Sequence, residues 1–556
     1  MKKIIFLAII YSITLSCNQK KQDSTMETQK TDIPFVWEGA NIYFLLTDRF
    51  NNGDISNDSN FNRKDDAATL RGFEGGDIKG VTQKIEEGYF NKLGVNAIWL
   101  TPIVEQIHGE VDEGTGATYG FHGYWAKDWT ALDPNFGTKD DLRKLVEIAH
   151  KNGIRIILDG VINHTGPVTD EDKVWPDSWV RTGPQCNYDS YESTITCTLV
   201  KNLPDIKTES DESVELPKQL VEKWKAEGRY EQEVKELIEF FNRTGYPKSP
   251  RFYIIKWLAD YIREFGIDGY RADTVKHTEE NVWSEFKKEC DYAFAQWKTN
   301  NPDKILDDNN FYLVGEVYNY GIGGGQNFDF GDRKVNYFKH GFNSLINFEF
   351  KWNAGQNDYE AIFSRYSTIL NNELKDYGVL NYLSSHDDGD PFDKERTKVY
   401  EAANKLLLAP GTAQIYYGDE SARHLIVEGA VGDANLRSKM NWDDIENNQH
   451  IQSVLQHWQK IGSFRRNHPS IGAGIHKMIT AQPYVFQRTF SKENYNDAVV
   501  VALNINEGEK VININGIFEE GIILNDAYSG TEAIVKDGLV KLNTEFSTVL
   551  LEEKNK

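Results

Sequence analysis

Residues 153–164 read Gly-Ile-Arg-Ile-Ile-Leu-Asp-Gly-Val-Ile-Asn-His. A charged helical pattern over 139–152 runs straight into an apolar stretch, and that stretch stops at Asp159. A short run apolar on both faces, opened by Gly and closed by polar residues, reads as a strand buried between two layers, the setting of parallel strands. The same unit recurs along the chain. Apolar runs stand at 41–46, 96–100, 154–158, 267–270, 311–315, 345–348, 379–383 and 412–417, with helical patterns at 82–93, 139–152, 252–265, 280–297 and 394–408. Eight alternating units of this kind predict an α/β fold, a closed (β/α)8 TIM barrel.

The gap between the third and fourth runs is too long for one helix. Residues 165–249 are therefore expected as an inserted subdomain, with a charged helical stretch near 214–241. The barrel itself takes 37–164 and 250–470. From 471 to 556 the pattern changes to strands and turns, as at 484–490, 498–505 and 510–514, and predicts a C-terminal antiparallel β-sandwich. A chain of 556 residues has room for these parts.

Net charge is −23, a field that repels phosphate backbones and anionic headgroups, so no nucleic-acid partner is expected. The chain starts Met1-Lys2-Lys3, followed by an apolar run over 4–15 that is too short to span a bilayer. That run ends Thr14-Leu15-Ser16-Cys17 and resembles the lipobox of bacterial lipoproteins. The resemblance implies a signal peptide over 1–17, a lipid anchor on Cys17, a polar tether over 18–36, and export to the periplasm, the outer membrane or the cell surface. The membrane contact expected is that anchor alone. Cys186 and Cys197 lie in a Gly/Ser/Thr/Tyr-rich stretch, where an oxidising compartment would allow a disulfide. Cys290 sits in a helical pattern and reads as a buried small hydrophobe.

Active-site residues of such barrels come from the C-terminal ends of the strands. The third run ends in Asp159-Gly-Val-Ile-Asn163-His164, the fourth in Arg271-Ala-Asp273, the fifth in Gly315-Glu316, and the seventh in Ser385-His386-Asp387. Polar groups thus cap four apolar strands at one end and converge on one cleft.

These segments, in this order, resemble the conserved regions of the α-amylase family of glycoside hydrolases. Leu203-Pro204-Asp205-Ile206 resembles that family's marker in its inserted domain. Tyr-Gly-Phe-His-Gly-Tyr-Trp at 119–125 and Tyr-Tyr-Gly-Asp-Glu at 416–420 bring the chain nearest to the bacterial periplasmic α-amylases. The resemblance runs from about residue 37 to the end. It implies hydrolysis of α-1,4 bonds in starch or maltodextrins, with Asp273 as nucleophile, Glu316 as acid/base and Asp387 as the third carboxylate. It implies sugar contacts from Tyr124, His122, His164, Arg271, Lys276, His277 and His386, the two residues Lys276 and His277 lining the acceptor side. It gives Asp159 a structural part. It also implies Ca²⁺ at one or two sites. One comprises Asn163, Asp205 and the backbone of His277; the other is the loop of Asn52, Asp54, Asn57 and Asp58 with Gly75 and Asp77. Oxygen ligands of this kind suit a hard cation.

The physics of the residues runs the same way. Arg271 and Asp273 are two apart on a strand and share a face, and burial beside other carboxylates should raise the pKa of Glu316. The same residues would serve a glucanotransferase or a cyclomaltodextrinase, in which the acceptor side decides the outcome; a non-catalytic starch-binding lipoprotein would not need all three carboxylates. The run at 321–325, Gly-Ile-Gly-Gly-Gly, lacks the Lys-Ser/Thr of a phosphate-binding loop and reads as a flexible loop near the cleft.

Overall fold

A computed structural model describes residues 33–554, apart from 65 and 515. The apolar start, Cys17 and most of the tether lie outside the described residues. Eight parallel strands close into a barrel: β1 (Asn41–Leu45), β2 (Ala97–Leu100), β3 (Arg155–Gly160), β4 (Gly269–Ala272), β5 (Tyr312–Gly315), β6 (Ser344–Asn347), β7 (Gly378–Asn381) and β8 (Thr412–Tyr416). Each pairs with its sequence neighbour, and β8 pairs with β1 to close the ring. Every residue of these strands is buried, as expected where helices cover one face and the barrel core the other. The fourth apolar run begins at 267, two residues before its strand, and the strand continues through Arg271 to Ala272.

The covering helices carry their own start and stop signals. In α1 (Lys139–Lys151), Thr138 and Asp141 cap each other reciprocally, which satisfies two otherwise orphaned N–H groups ahead of β3. Between β3 and β4 the chain leaves the barrel. It forms a loop closed by the Cys186–Cys197 disulfide, then α2 (Lys218–Ala226) and α3 (Tyr230–Thr244). It returns through α4 (Pro250–Phe265), which has Pro at its first turn and Gly266 in the left-handed region at its end. The charged stretch at 214–241 is thus two helices, and Lys223 on α2 reaches Glu105 and Asp128 at 2.6 and 2.5 Å. Helix α5 (Glu280–Asn300) follows β4 and buries Cys290. Helix α6 (Gln449–Asn467) follows β8 and leads out of the barrel.

The C-terminal part is antiparallel. Strands β9 (Ile475–Thr480), β10 (Tyr484–Lys492), β11 (Tyr495–Leu503), β13 (Ile523–Asp526), β14 (Thr531–Ile534) and β16 (Val549–Glu553) form one sheet in the order β9-β10-β11-β16-β13-β14. A second sheet pairs β12 (Gly508–Asn513) with β15 (Leu539–Thr544). Val500, Val549 and Leu551 of the first sheet and Ile512, Val540 and Leu542 of the second share one apolar core, as two stacked layers must. Among the described residues no helix is long and apolar enough to cross a membrane.

Candidate active site

At the C-terminal rim the backbone ladder runs past the strand ends. Asp273 N–H donates to the Gly160 carbonyl at 3.0 Å, and Glu316 N–H donates to that of Ala272 at 2.9 Å. This fixes the three strand ends relative to one another. Arg271 lies at the centre and is fully buried. Its Nη1 donates to Asp273 Oδ1 at 2.6 Å and to both oxygens of Asp159 at 2.9 and 3.1 Å, while Nη2 lies 3.3 Å from Glu316 Oε2. One guanidinium therefore holds three carboxyl groups. Asp159 takes two further bonds, from the Tyr124 hydroxyl at 2.8 Å and from Trp99 Nε1 at 3.2 Å.

Glu316 is aimed by an unusual residue. Thr274 has φ +48°, a left-handed conformation that a β-branched residue rarely adopts, and the turn it makes lets its N–H donate to Glu316 Oε2 at 2.8 Å. Burial pushes the Glu316 carboxyl up to about 8; Arg271 opposes this, and Asp273 and Asp387 add to it. Burial likewise raises Asp159 to about 7. Glu316 therefore carries its proton at neutral pH.

The third carboxylate, Asp387, has a partner that the sequence did not reveal. Its side chain is half exposed to the cleft; partial desolvation there works to raise its pKa, yet it is held well below the usual carboxylate range by His386 and by Arg437. Arg437 Nη2 lies 2.6 Å from Asp387 Oδ1, and His386 Nε2 lies 2.9 Å from Oδ2. Since burial pushes His386 itself down, the charge that keeps Asp387 ionised at neutral pH is that of Arg437. Arg437 also reaches Asp433 at 2.8 Å, and Asp433 reaches Arg71 at the same distance.

The rings form the cleft's side. The Tyr124 and His386 rings lie nearly parallel at 15°, with centroids 5.2 Å apart. His122 is buried behind Tyr124, and its Nδ1 accepts the Tyr124 N–H at 3.1 Å. The Nε2 of His164 lies 3.1 Å from the Tyr124 carbonyl. Burial lowers the pKa of both His122 and His164. Two residues past Thr274, Lys276 Nζ stands 5.6, 5.2 and 5.7 Å from the rings of Tyr188, Tyr318 and Phe328. Tyr188 and Tyr318 are half exposed. His277 turns its imidazole to the Thr194 carbonyl at 2.9 Å, on the disulfide-closed loop. The glycine run beside this wall, expected as a flexible loop, is a 3-10 turn (Ile322–Gly324). It is pinned by Gly323 N–H on Glu349 at 2.8 Å and by the Tyr320 hydroxyl on the Gly325 carbonyl at 2.6 Å. The tight turn leaves Gly323 N–H pointing at a carboxylate, so a run rich in Gly is held in one shape.

The oxygens of Asn163, Asp205 and His277 also meet. The atom at one end of the Asn163 amide lies 2.8 Å from the His277 carbonyl and 3.3 Å from Asp205 Oδ1. With nitrogen there, the amide donates to both; with oxygen there, three oxygens face one point. The loop at 52–77 is assembled too. Asn52 Nδ2 donates to Asp58 at 2.9 Å, and Asp77 accepts N–H bonds from Asp54 at 2.8 Å and Gly80 at 2.7 Å. Asn57 Nδ2 lies 3.5 Å from Asp77. A side chain on Gly75 would collide with Asn52 and Asp58, and its φ is +90°. Asp54 is already paired with Lys79. Among the described residues no group of three or more His, Cys, Asp or Glu side chains is placed to hold a metal.

A barrel with three carboxyls on one arginine has a recognisable relative. The sequence model of the alpha-amylase catalytic domain matches residues 44–469. The chain belongs to the alpha-amylase family. It is 36% identical over 533 residues to the periplasmic alpha-amylase of Escherichia coli K12, a match covering 85% of this chain and 73% of that one. To the cyclomaltodextrin glucanotransferase of Geobacillus stearothermophilus it is 26% identical, over 86% of this chain and 61% of that longer protein. The crystal structure of an Anoxybacillus alpha-amylase superposes with a TM-score of 0.63 at 25% identity, covering 94% of this chain and all of the other. The chain is a glycoside hydrolase of this family.

Proposed function

We propose that the chain hydrolyses internal or near-terminal α-1,4 bonds of starch or maltodextrins with retention, through a covalent glucosyl-enzyme. The observation that carries this reading is the pair set on Arg271. Asp273 has the guanidinium as its immediate partner, whereas Glu316 is protonated to about pH 8. Retaining hydrolysis needs such a pair, one carboxylate to attack and one acid to give a proton. Glu316 gives its proton to the glycosidic oxygen as that bond breaks, and an Asp273 oxygen bonds to the anomeric carbon. The ester that forms has no charge on Asp273, so one of the groups raising Glu316 is gone and Glu316 is ready as a base. It then takes a proton from water, which attacks the same carbon and frees Asp273. Asp387, ionised by Arg437, accepts sugar hydroxyls. Tyr124 supplies an aromatic face, with His122, His164 and His386 around it, and Lys276 and His277 line the acceptor side.

Calcium is the proposed cation at Asn163, Asp205 and the His277 carbonyl. The facing oxygens there fit a hard ion, whose part would be to tie the inserted segment to the barrel. The loop of Asn52, Asp54, Asn57, Asp58, Gly75 and Asp77 is proposed as a second site, in which Lys79 already meets part of the charge. Export as a lipoprotein is proposed from residues 1–17. The Cys186–Cys197 bond, which suits an oxidising compartment, and the periplasmic relative support it.

A transferase reading has one observation in its favour, the aromatic wall of Tyr188, Tyr318 and Phe328 where an acceptor sugar would stack. Incubation with soluble starch and with maltoheptaose, beside Glu316→Gln, separates the two. Shorter malto-oligosaccharides from the wild type and almost none from the variant are expected. Products longer than maltoheptaose would make it a transferase, and unchanged sugars would overturn the hydrolase reading.

A further inference from the structure

Asp205 is the point where the inserted segment is fastened to the barrel. It is almost fully buried, forms a bridge with His164 beyond the end of β3, and lies opposite Arg181 in a short antiparallel pairing of Val180–Arg181 with Asp205–Ile206. Backbone bonds from Ile206 to Asn163 at 2.8 Å and from Thr165 to Pro204 at 3.0 Å complete the fastening. A carboxylate in this position needs a permanent counter-charge, because a buried charge without a partner is costly.

The two oxygens of Asp205 face different partners. Oδ1 faces the Asn163 amide, beside the His277 carbonyl. Oδ2 lies 2.7 Å from Arg181 Nε, and the other arm of that guanidinium reaches Glu209 at 2.6 Å. The Arg181 side chain is itself mostly buried. Glu279, which accepts the Thr208 hydroxyl at 2.7 Å, is a third carboxyl of this neighbourhood. A covalently attached cation thus already occupies one side of the site. On the other side, an Asn163 amide presenting nitrogen would donate to both oxygens that a metal ion would otherwise hold.

We propose that Arg181 is a built-in counter-cation for Asp205, so that this chain keeps its inserted segment docked without a metal ion and uses calcium at Asn163, Asp205 and His277 as reinforcement. The second half of that statement rests on the calcium reading above; the first does not. Two consequences follow from charge alone. Removing the guanidinium leaves Asp205 dependent on an external cation. It also removes a positive charge that repels Ca²⁺ at close range, so calcium should bind more tightly.

The test uses the full chain with Arg181→Gln, Arg181→Lys and the double variant Arg181→Gln/Asp205→Asn. Melting temperature and protease cleavage within 165–249 are read in chelator and in calcium, and calcium affinity is read by competition with an indicator dye. In chelator the wild type and Arg181→Lys are expected to keep the segment protected. Arg181→Gln is expected to melt at least about 5 °C lower and to be cut there, with calcium restoring both. Its calcium affinity should be about tenfold tighter than that of the wild type. The double variant, which needs no counter-charge, should recover most of the chelator-state stability; it keeps the test alive if the single variant does not fold. A wild type as labile in chelator as Arg181→Gln would overturn the proposal, as would a double variant no more stable than the single one. If the wild type binds no calcium while Arg181→Gln still loses protection, the calcium reading falls and the role of Arg181 stands.

Discussion

His386 at the cleft and His468 at the C-terminal seam are both buried against carboxylates, with opposite results. At the cleft, His386 lies 2.9 Å from Asp387, and burial pushes its pKa down. Where the barrel meets the C-terminal sheet, His468 lies 2.9 Å from Asp497 and 2.7 Å from Glu552. Burial opposes the charge there too, yet the two carboxylates raise it to about 8. The difference is how many charges each imidazole faces. In the cleft Arg437 has claimed Asp387, and Arg437 and Arg271 both disfavour a second cation. At the seam one imidazole, on the residue after α6, is shared between β11 and β16. The seam is a balanced structural joint. The cleft is left out of balance, with three carboxyls on one arginine, and burial, helped by the neighbouring carboxylates, keeps a proton on Glu316.

The largest effect expected comes from removing the arginine that holds the imbalance together. Arg271→Met leaves Asp159, Asp273 and Glu316 buried with no shared cation. It should cost about 3–5 kcal/mol of stability at neutral pH and lower kcat by roughly 10³-fold or more. The stability loss should shrink as pH falls and the carboxyls protonate. Thermal melts at several pH values check this, and a loss independent of pH would mean that packing, not charge, is what Arg271 supplies.

Glu316 gives the next effect, and its sign can be worked out. Its folded pKa is raised from the ordinary 4.5 to about 8, so the folded state holds the proton over that window and the unfolded state does not. Its contribution to stability is complete below the lower value and is lost as pH rises to the upper one. Glu316→Gln should therefore melt higher than the wild type above pH 8, with the difference vanishing near pH 4.5. Wild-type kcat/KM should fall above about pH 8 as the acid loses its proton. A wild-type rate, and a melting difference from Glu316→Gln, that both ignore this window would show that Glu316 is not the proton carrier.

The seam should give a smaller loss in a different window. His468 is raised from 6.5 to about 8, so its stabilisation is present below pH 6.5 and is lost as pH rises through 8. A shift of this size is worth about 2 kcal/mol. His468→Gln should melt lower than the wild type at pH 6 and nearly equal to it at pH 9, with kcat unchanged at either.

The barrel was legible because parallel strands are apolar on both faces and end in polar residues, as 154–159 does. Asp159, Asp273 and Glu316 were legible for the same reason, since they stand at or just past strand ends, whereas Asp387 lies six residues beyond the end of β7. Arg437 was not, since it reaches Asp387 from 50 residues further on, out of a 3-10 turn beyond β8. No local pattern marks one arginine in an irregular loop. Thr274 was hidden because its left-handed backbone runs against the preference of its side chain. Arg181 was hidden by its surroundings, a two-residue strand in a segment with no periodicity.

The finest separation of cleft from seam comes from deleting one hydroxyl in each. Tyr124 donates to Asp159 Oδ2 at 2.8 Å, and the Tyr528 hydroxyl lies 2.8 Å from His457 Nδ1 at the seam. Each substitution to Phe removes one buried hydrogen bond, worth about 1 kcal/mol, so the two melts should fall alike. Their rates should not. Without the Tyr124 hydroxyl, Asp159, already raised to about 7 by burial, loses one of the bonds that favour its charged form, and fuller protonation loosens its hold on the Arg271 arm it shares with Asp273. Tyr124→Phe should therefore lower kcat/KM about fivefold to tenfold, while Tyr528→Phe leaves it alone. Equal rates in the two variants would mean that Asp159 is a strut and that the charge balance around Asp273 is set by Arg271 alone.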